Sequence, residues 1–272
     1  MPPSSTGASA FQTIMGFHPG EEHPFGRAFI PNDGLTVSAV PYRDLSEKNG
    51  VRNDLVTDLR EMVTRHHASP EQLARSMEAK KQLGFAKDQK RLNRFPTNPA
   101  TRKGNLAEVV LAEYLVATTG STIPVYRLRY NQNVDQSLKG DDILAFDLDS
   151  NPIRIIVGEA KFREISSNVA VKEIVEGLVR SHHGGIPASL QFVADRLFES
   201  GQNNLGNRVM SCAALIANNN LLMDYVGFLM SDTNSARRVK ENTPAPTHRL
   251  AMISMGLASA ESLIAPCYDG LE

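Results

Sequence analysis

Lys139-Gly140-Asp141-Asp142-Ile143-Leu144-Ala145-Phe146, followed by Ile155-Ile156-Val157-Gly158-Glu159-Ala160-Lys161-Phe162, decides the reading of this chain. Both pieces are apolar runs of strand length, and each carries charge at one end. Side chains on a strand alternate between faces, so Glu159 and Lys161 project from the same side. A carboxylate and an ammonium at the end of an apolar strand are costly unless something uses them. Asp142 opens the preceding strand, and the short connection between the two contains Asn151-Pro152. As adjacent antiparallel strands, they would carry Asp142 toward Glu159. Two carboxylates and the Ala160 carbonyl suit a hard, oxygen-seeking cation such as Mg²⁺ or Mn²⁺ that keeps several waters. Such a centre activates water toward a phosphodiester, and Lys161 would offset charge developing on phosphorus. The plain alternative is an exposed hairpin whose charges merely end its strands.

Helices flank this pair. Asn105 to Ala117 reads as a helix with Leu106, Val109, Val110 and Leu111 on a broad apolar surface, and Gly120 suits its end. Ile123 to Tyr130 reads as a strand. Asp142 to Leu148 and Ile153 to Phe162 follow as strands. Val169 to His182 is an amphipathic helix, with Val171, Ile174, Val175, Leu178 and Val179 at helical spacing, stopped by Gly184-Gly185 and Pro187. Beyond it come a helix at Leu190 to Glu199 and a strand at Arg249 to Met255, while Val209 to Ala217 fits either state. Upstream, the first dozen residues, rich in Pro, Ser, Gly and Ala, are expected to be mobile. Phe25 to Val40 reads as short strands and turns, and Asn53 to His66 as a helix. Ser69-Pro70-Glu71 caps another that runs to about Gln82. The breaker segment Phe95-Pro96-Thr97-Asn98-Pro99 marks the preferred boundary. The expectation is α/β: an N-terminal α+β region over 1–98, suited to docking a partner, and a restriction-endonuclease-like core over 99–272 with a mixed sheet flanked by helices.

Composition sets limits. With 272 residues, 41% hydrophobic and 22% charged, the chain can bury a sizeable core and has no run of spanning length. Its start lacks the basic and apolar regions of a secretory signal, so a cytoplasmic location is expected. Cys212 and Cys267 have no CxxC spacing and read as buried, reduced thiols. His66-His67 and His182-His183 read as surface or helix-end residues, because neighbours on a helix face different ways. A net charge of −1 argues against strong unaided binding to nucleic acid. Charge is segregated, however: Lys80, Lys81, Lys87, Lys90, Arg91, Arg94, Arg102 and Lys103 are opposed only by Asp88 between Ala79 and Lys103. Lys90, Arg91, Arg94, Arg102 and Lys103 are the candidate DNA contacts; a solvated helix face and linker is the alternative. There is no Gly-x-Ser-x-Gly elbow and no phosphate loop, which disfavours serine hydrolases and nucleotide-binding proteins.

The order helix, strand, Asp-bearing strand, Glu-x-Lys strand, helix resembles the PD-(D/E)xK nuclease superfamily over about Gly104 to Gly184. The resemblance makes Asp142, Glu159 and Lys161 the catalytic core. It implies a further metal-holding glutamate on the first core helix, at Glu108, with Glu113 second. At finer grain the chain resembles the Hachiman anti-phage nuclease component, HamA. The Lys-Gly-Asp-Asp hairpin, the Gly-Glu-Ala-Lys strand and the Ser181-His182-His183 helix end carry that likeness, as does a nuclease domain behind a smaller N-terminal one. It implies Mg²⁺-dependent deoxyribonuclease activity in antiviral defence with a helicase encoded beside it. A restriction endonuclease, a junction resolvase and a non-catalytic module of the same fold remain alternatives.

Overall fold

The structure, a computed structural model, describes residues 5–83, 92–136, 138–246 and 248–271, with the backbone alone for 5–9. Six strands form one sheet: β1 (Phe29–Leu35), β2 (Pro41–Glu47), β3 (Ile143–Asp147), β4 (Arg154–Phe162), β5 (Leu222–Asp232) and β6 (Leu250–Leu257). Their spatial order is β1-β2-β6-β5-β4-β3. The inner four, β2, β6, β5 and β4, run parallel, and β1 and β3 are antiparallel edges. The α/β class, with a mixed sheet flanked by helices, is as expected.

Helices cover both faces, so the central strands are buried on each side and read as continuous apolar runs. On one face lie α1 (Ser5–Met15), α2 (Pro24–Ala28), α3 (Arg52–His67), α5 (Pro99–Thr119) and α10 (Ile264–Tyr268). On the other lie α6 (Asn168–His183), α7 (Leu190–Glu199), α8 (Asn203–Ala217) and α9 (Ser235–Asn242). Helix α4 (Pro70–Gln82) has no buried residue and meets the first core through partly buried Leu73. Ser69 caps it, as expected, and Gln72 adds the return bond to the Ser69 amide, completing a reciprocal pair. In α5, Asn98 accepts from the Ala100 and Thr101 amides, and Gly120 closes the helix at φ 69.

Several expectations are corrected. The first dozen residues are not a loose tail from Ser5 onward: Phe11 and Met15 are fully buried, and Arg43 lies 4.5 Å over the Phe11 ring. Ile123 to Tyr130 is no strand. Pro124 denies it a donor, one bridge joins Thr122 to Phe146, and Arg127–Tyr130 is a 3₁₀ turn. His66 and His67 occupy the last turn of α3 but are buried, not on the surface. Val209 to Ala217 is helical, as part of α8. Strand β5 was not foreseen. The division at residue 98 coincides with no break in the sheet: β2, from before it, pairs with β6 over Tyr42↔Met252 to Ser46↔Gly256. Both cysteines are free and buried, as expected. Among the described residues no helix is long and apolar enough to cross a membrane.

Candidate active site

The register of β3 and β4 builds the site. Ile143 pairs with Gly158, so Asp142, one step earlier, lies opposite Glu159. Ile156, Ala160 and Phe162 pack into the α5 core, whereas Ile155 and Val157 pack into the α6 core. By alternation Glu159 and Lys161 share the α6 side. Lys161 Nζ donates to Glu159 Oε1 at 2.5 Å. Past the end of β3 the Ala160 amide has no strand to meet, and it donates instead to Asp142 Oδ2 at 2.9 Å. Asp142, Ala160 and Lys161 line an open cleft of about 500 Å³ together with Glu108, Lys103 and Arg163. Its base is the carboxyl-terminal end of β4, where parallel sheets commonly take ligands.

Electrostatics reveal crowding. Burial first, then the charge of Asp142, pushes the Glu108 carboxyl up to about 8. Burial raises Asp142 against the pull of the Ala160 amide, Lys161 and Arg127. Burial and Asp142 raise Glu159 despite Lys161. Burial would lower Lys161, but the hydrogen bond and charge of Glu159, with Asp142 and Glu108, outweigh it and hold the ammonium above its ordinary range. Like charges confined together disfavour ionisation, and a cation added among them would reverse that. Among the described residues, Asp142 and Glu159 each make one side-chain hydrogen bond and Glu108 makes none. Spare carboxylate oxygens therefore remain. No set of three His, Cys, Asp or Glu among those residues is spaced as a ready metal cage. The donors fit a hard cation bound by two carboxylates and water, with Glu108 reaching in from the α5 side.

The other candidates separate. Glu113 is committed elsewhere, to His66 Nε2 at 2.6 Å and an Arg65 guanidinium at 2.7 Å, which lower its pKa against burial. Lys103 lines the cleft but is paired with Glu261 at 2.6 Å. Arg102 is structural: it bridges the Pro96 carbonyl and Asp269 and covers the Tyr268 ring. Arg94 donates to Ser76 on α4 and is absent from the cleft lining. Lys87, Lys90 and Arg91 lie outside the described residues.

Three supports escaped the sequence reading. Asp141 is buried and accepts from Ser181 Oγ at 2.7 Å and the Ser189 amide at 2.9 Å, while its own amide donates to Ser189 Oγ at 3.1 Å. Arg127 donates to the Lys139 carbonyl at 3.1 Å, and its buried Nη1 has no partner among the described residues. Together they fix the turn that presents Asp142. Gly177 on α6 is the third: a methyl group there would come within 2.8 Å of Glu159 Cδ. Only the doubled aspartate hinted at the first, one carboxylate facing in and one out.

Comparison with known proteins adds two findings. A family model described as HamA matches residues 28–269. The Hachiman protein HamA of Bacillus cereus is 30% identical over 262 residues, which span 95% of this chain and 94% of that protein.

Proposed function

The chain belongs to the HamA family, and from that premise we propose that it is the nuclease of a Hachiman anti-phage defence system, a cytoplasmic Mg²⁺-dependent deoxyribonuclease of PD-(D/E)xK type. One observation carries the reading: Asp142 faces Glu159 across adjacent strands, with Lys161 on the same side at the mouth of an open cleft. Asp142 and Glu159 would hold the ion with the Ala160 carbonyl, and Glu108 would support it. Mg²⁺, when bound, supplies Lewis-acid stabilisation and a more acidic water. Lys161 balances charge that develops on phosphorus. Asp141 and Arg127 keep Asp142 in register, and Glu159 keeps the Lys161 ammonium protonated and aimed.

With a net charge of −1, the chain has little intrinsic grip on duplex DNA, and its dependence on a partner helicase follows. Mn²⁺ would serve the same ligands. The test uses supercoiled plasmid with Mg²⁺ or EDTA, with and without the helicase. Cleavage should need the metal and vanish in Asp142→Asn and Glu159→Ala at unchanged fold. Lys161→Ala should lower turnover on the order of 10²- to 10³-fold with little change in DNA binding, and arginine should rescue it poorly. Cleavage by all three variants at the wild-type rate would refute the assignment.

A further inference from the structure

Helix α6 turns Glu173, Gly177, Arg180 and Ser181 toward the site, at i, i+4, i+7 and i+8. Three of the four are committed. Glu173 takes the Arg163 guanidinium, Gly177 makes room for the Glu159 carboxylate, and Ser181 holds Asp141. Arg180 is exposed, and its side chain makes no hydrogen bond or ion pair among the described residues. Its charge nonetheless reaches the site, favouring the ionised form of Glu159.

The cations around the cleft differ in just this respect. Lys161 is paired with Glu159, Lys103 with Glu261, Arg163 with Glu173 and Arg102 with Asp269. Each is neutralised by an acid, whereas Arg180, like buried Arg127 and exposed Lys139, has no acid partner among the described residues; of these three, Arg180 is the one carried on the helix face beside Glu159. Direction matters too. Going along α6, Glu173 meets Arg163 and Gly177 meets Glu159, so the helix runs counter to β4. Arg180 therefore lies on the side of Glu159 away from Lys161, next to the Asp141 turn. A group placed there cannot duplicate Lys161. A guanidinium presents a planar fork that matches two oxygens of one phosphate.

We propose that Arg180 is a substrate-binding residue that holds the backbone phosphate adjoining the reacting one. The assignment rests on the nuclease reading above and adds to it a direction: the strand crosses the sheet edge from Lys161, over Glu159, to Arg180.

The test is fluorescence anisotropy of a short labelled DNA duplex in EDTA, with the chain and its proposed helicase partner together, so that binding is read without hydrolysis. Arg180→Ala should weaken binding on the order of 10-fold and lower the slope of log affinity against log salt by about 1. Arg180→Glu should weaken it further, and Arg180→Lys should keep the slope. Lys172→Ala, on the same helix and paired with Glu176, is the control and should change neither. Because Arg180 is exposed, the variants should melt with the wild type. If Arg180→Ala and Arg180→Glu bind like a wild type that cleaves DNA, the role of Arg180 is wrong and the nuclease stands. If the wild type neither binds nor cleaves DNA, the nuclease reading fails and takes Arg180 with it.

Discussion

At Gly177 the interests of a helix and of a site diverge. Glycine inside a helix costs up to about 1 kcal/mol relative to alanine, yet the Glu159 carboxylate lies where the alanine methyl would go. Since the carboxylate is the flexible end of a side chain, it would move and the helix would stay. Gly177→Ala should therefore leave the melting temperature equal or higher while cutting plasmid cleavage severely. Equal activity would show that Glu159 has room to spare. Glu108 makes a second prediction, on pH. Its carboxyl titrates near 8 in the fold against 4.5 ordinarily, so between these values the folded chain keeps a proton that the unfolded chain has lost. Metal-free stability must then fall as pH rises through that window. Glu108→Gln should flatten part of that decline in thermal melts in EDTA, and an unaltered slope would remove Glu108 from the crowded cluster. Asp142, Glu159 and Lys161 were legible because two-residue alternation places them without any knowledge of distant elements. Gly177 and Arg127 were not, since the need for them arises only when α6 and a 3₁₀ turn close over the strands.

Elements were legible in proportion to how asymmetric their surroundings are. Helices α3, α6 and α7 each bury one face, and their apolar spacing announces it. Strand β5 is buried along most of its length on both sides, so Leu222 to Asp232 shows no alternation and passes without notice. Residues 123–130 misled for the opposite reason: β-branched and aromatic types gather there, but Arg127 is turned inward to hold the Lys139 carbonyl. The Asp141 turn is where element joins element, since it links β3 to the end of α6 and the start of α7. Asp141→Ala would leave the Ser181 hydroxyl and the Ser189 amide without their acceptor, at about 1–3 kcal/mol for a buried donor. Denaturant titration should register that loss, and cleavage should drop by more than the stability change explains, because Asp142 loses its anchor. A stability change without loss of activity would make the turn a purely structural feature.

Across the molecule, the single sheet binds the two halves of the sequence together. Asp224 is wholly buried between Arg154 and Arg249, and Arg154 also caps the Ile14 carbonyl of α1. Texture suggested a seam at Pro96, because composition reports local preference and cannot see that β2 finds its neighbour some two hundred residues later. A fragment of residues 99–272 would expose the β2-facing edge of β6, whose eight residues are all buried in the whole chain. It should appear as aggregate in size-exclusion chromatography, and a monomeric, cooperatively melting fragment would show that the first part is dispensable.

The place of β6 has a consequence for how the chain is made. The last strand to be synthesised fills the gap between β5 and β2. At ~5–20 residues per second, the β1–β2 hairpin waits roughly 10–40 s on the ribosome for the neighbour that completes it. Until then the sheet remains in two pieces. The two pieces of the sheet join only once β6 has been made, and translation products abandoned before it would carry Asp142, Glu159 and Lys161 without the completed sheet that aligns them.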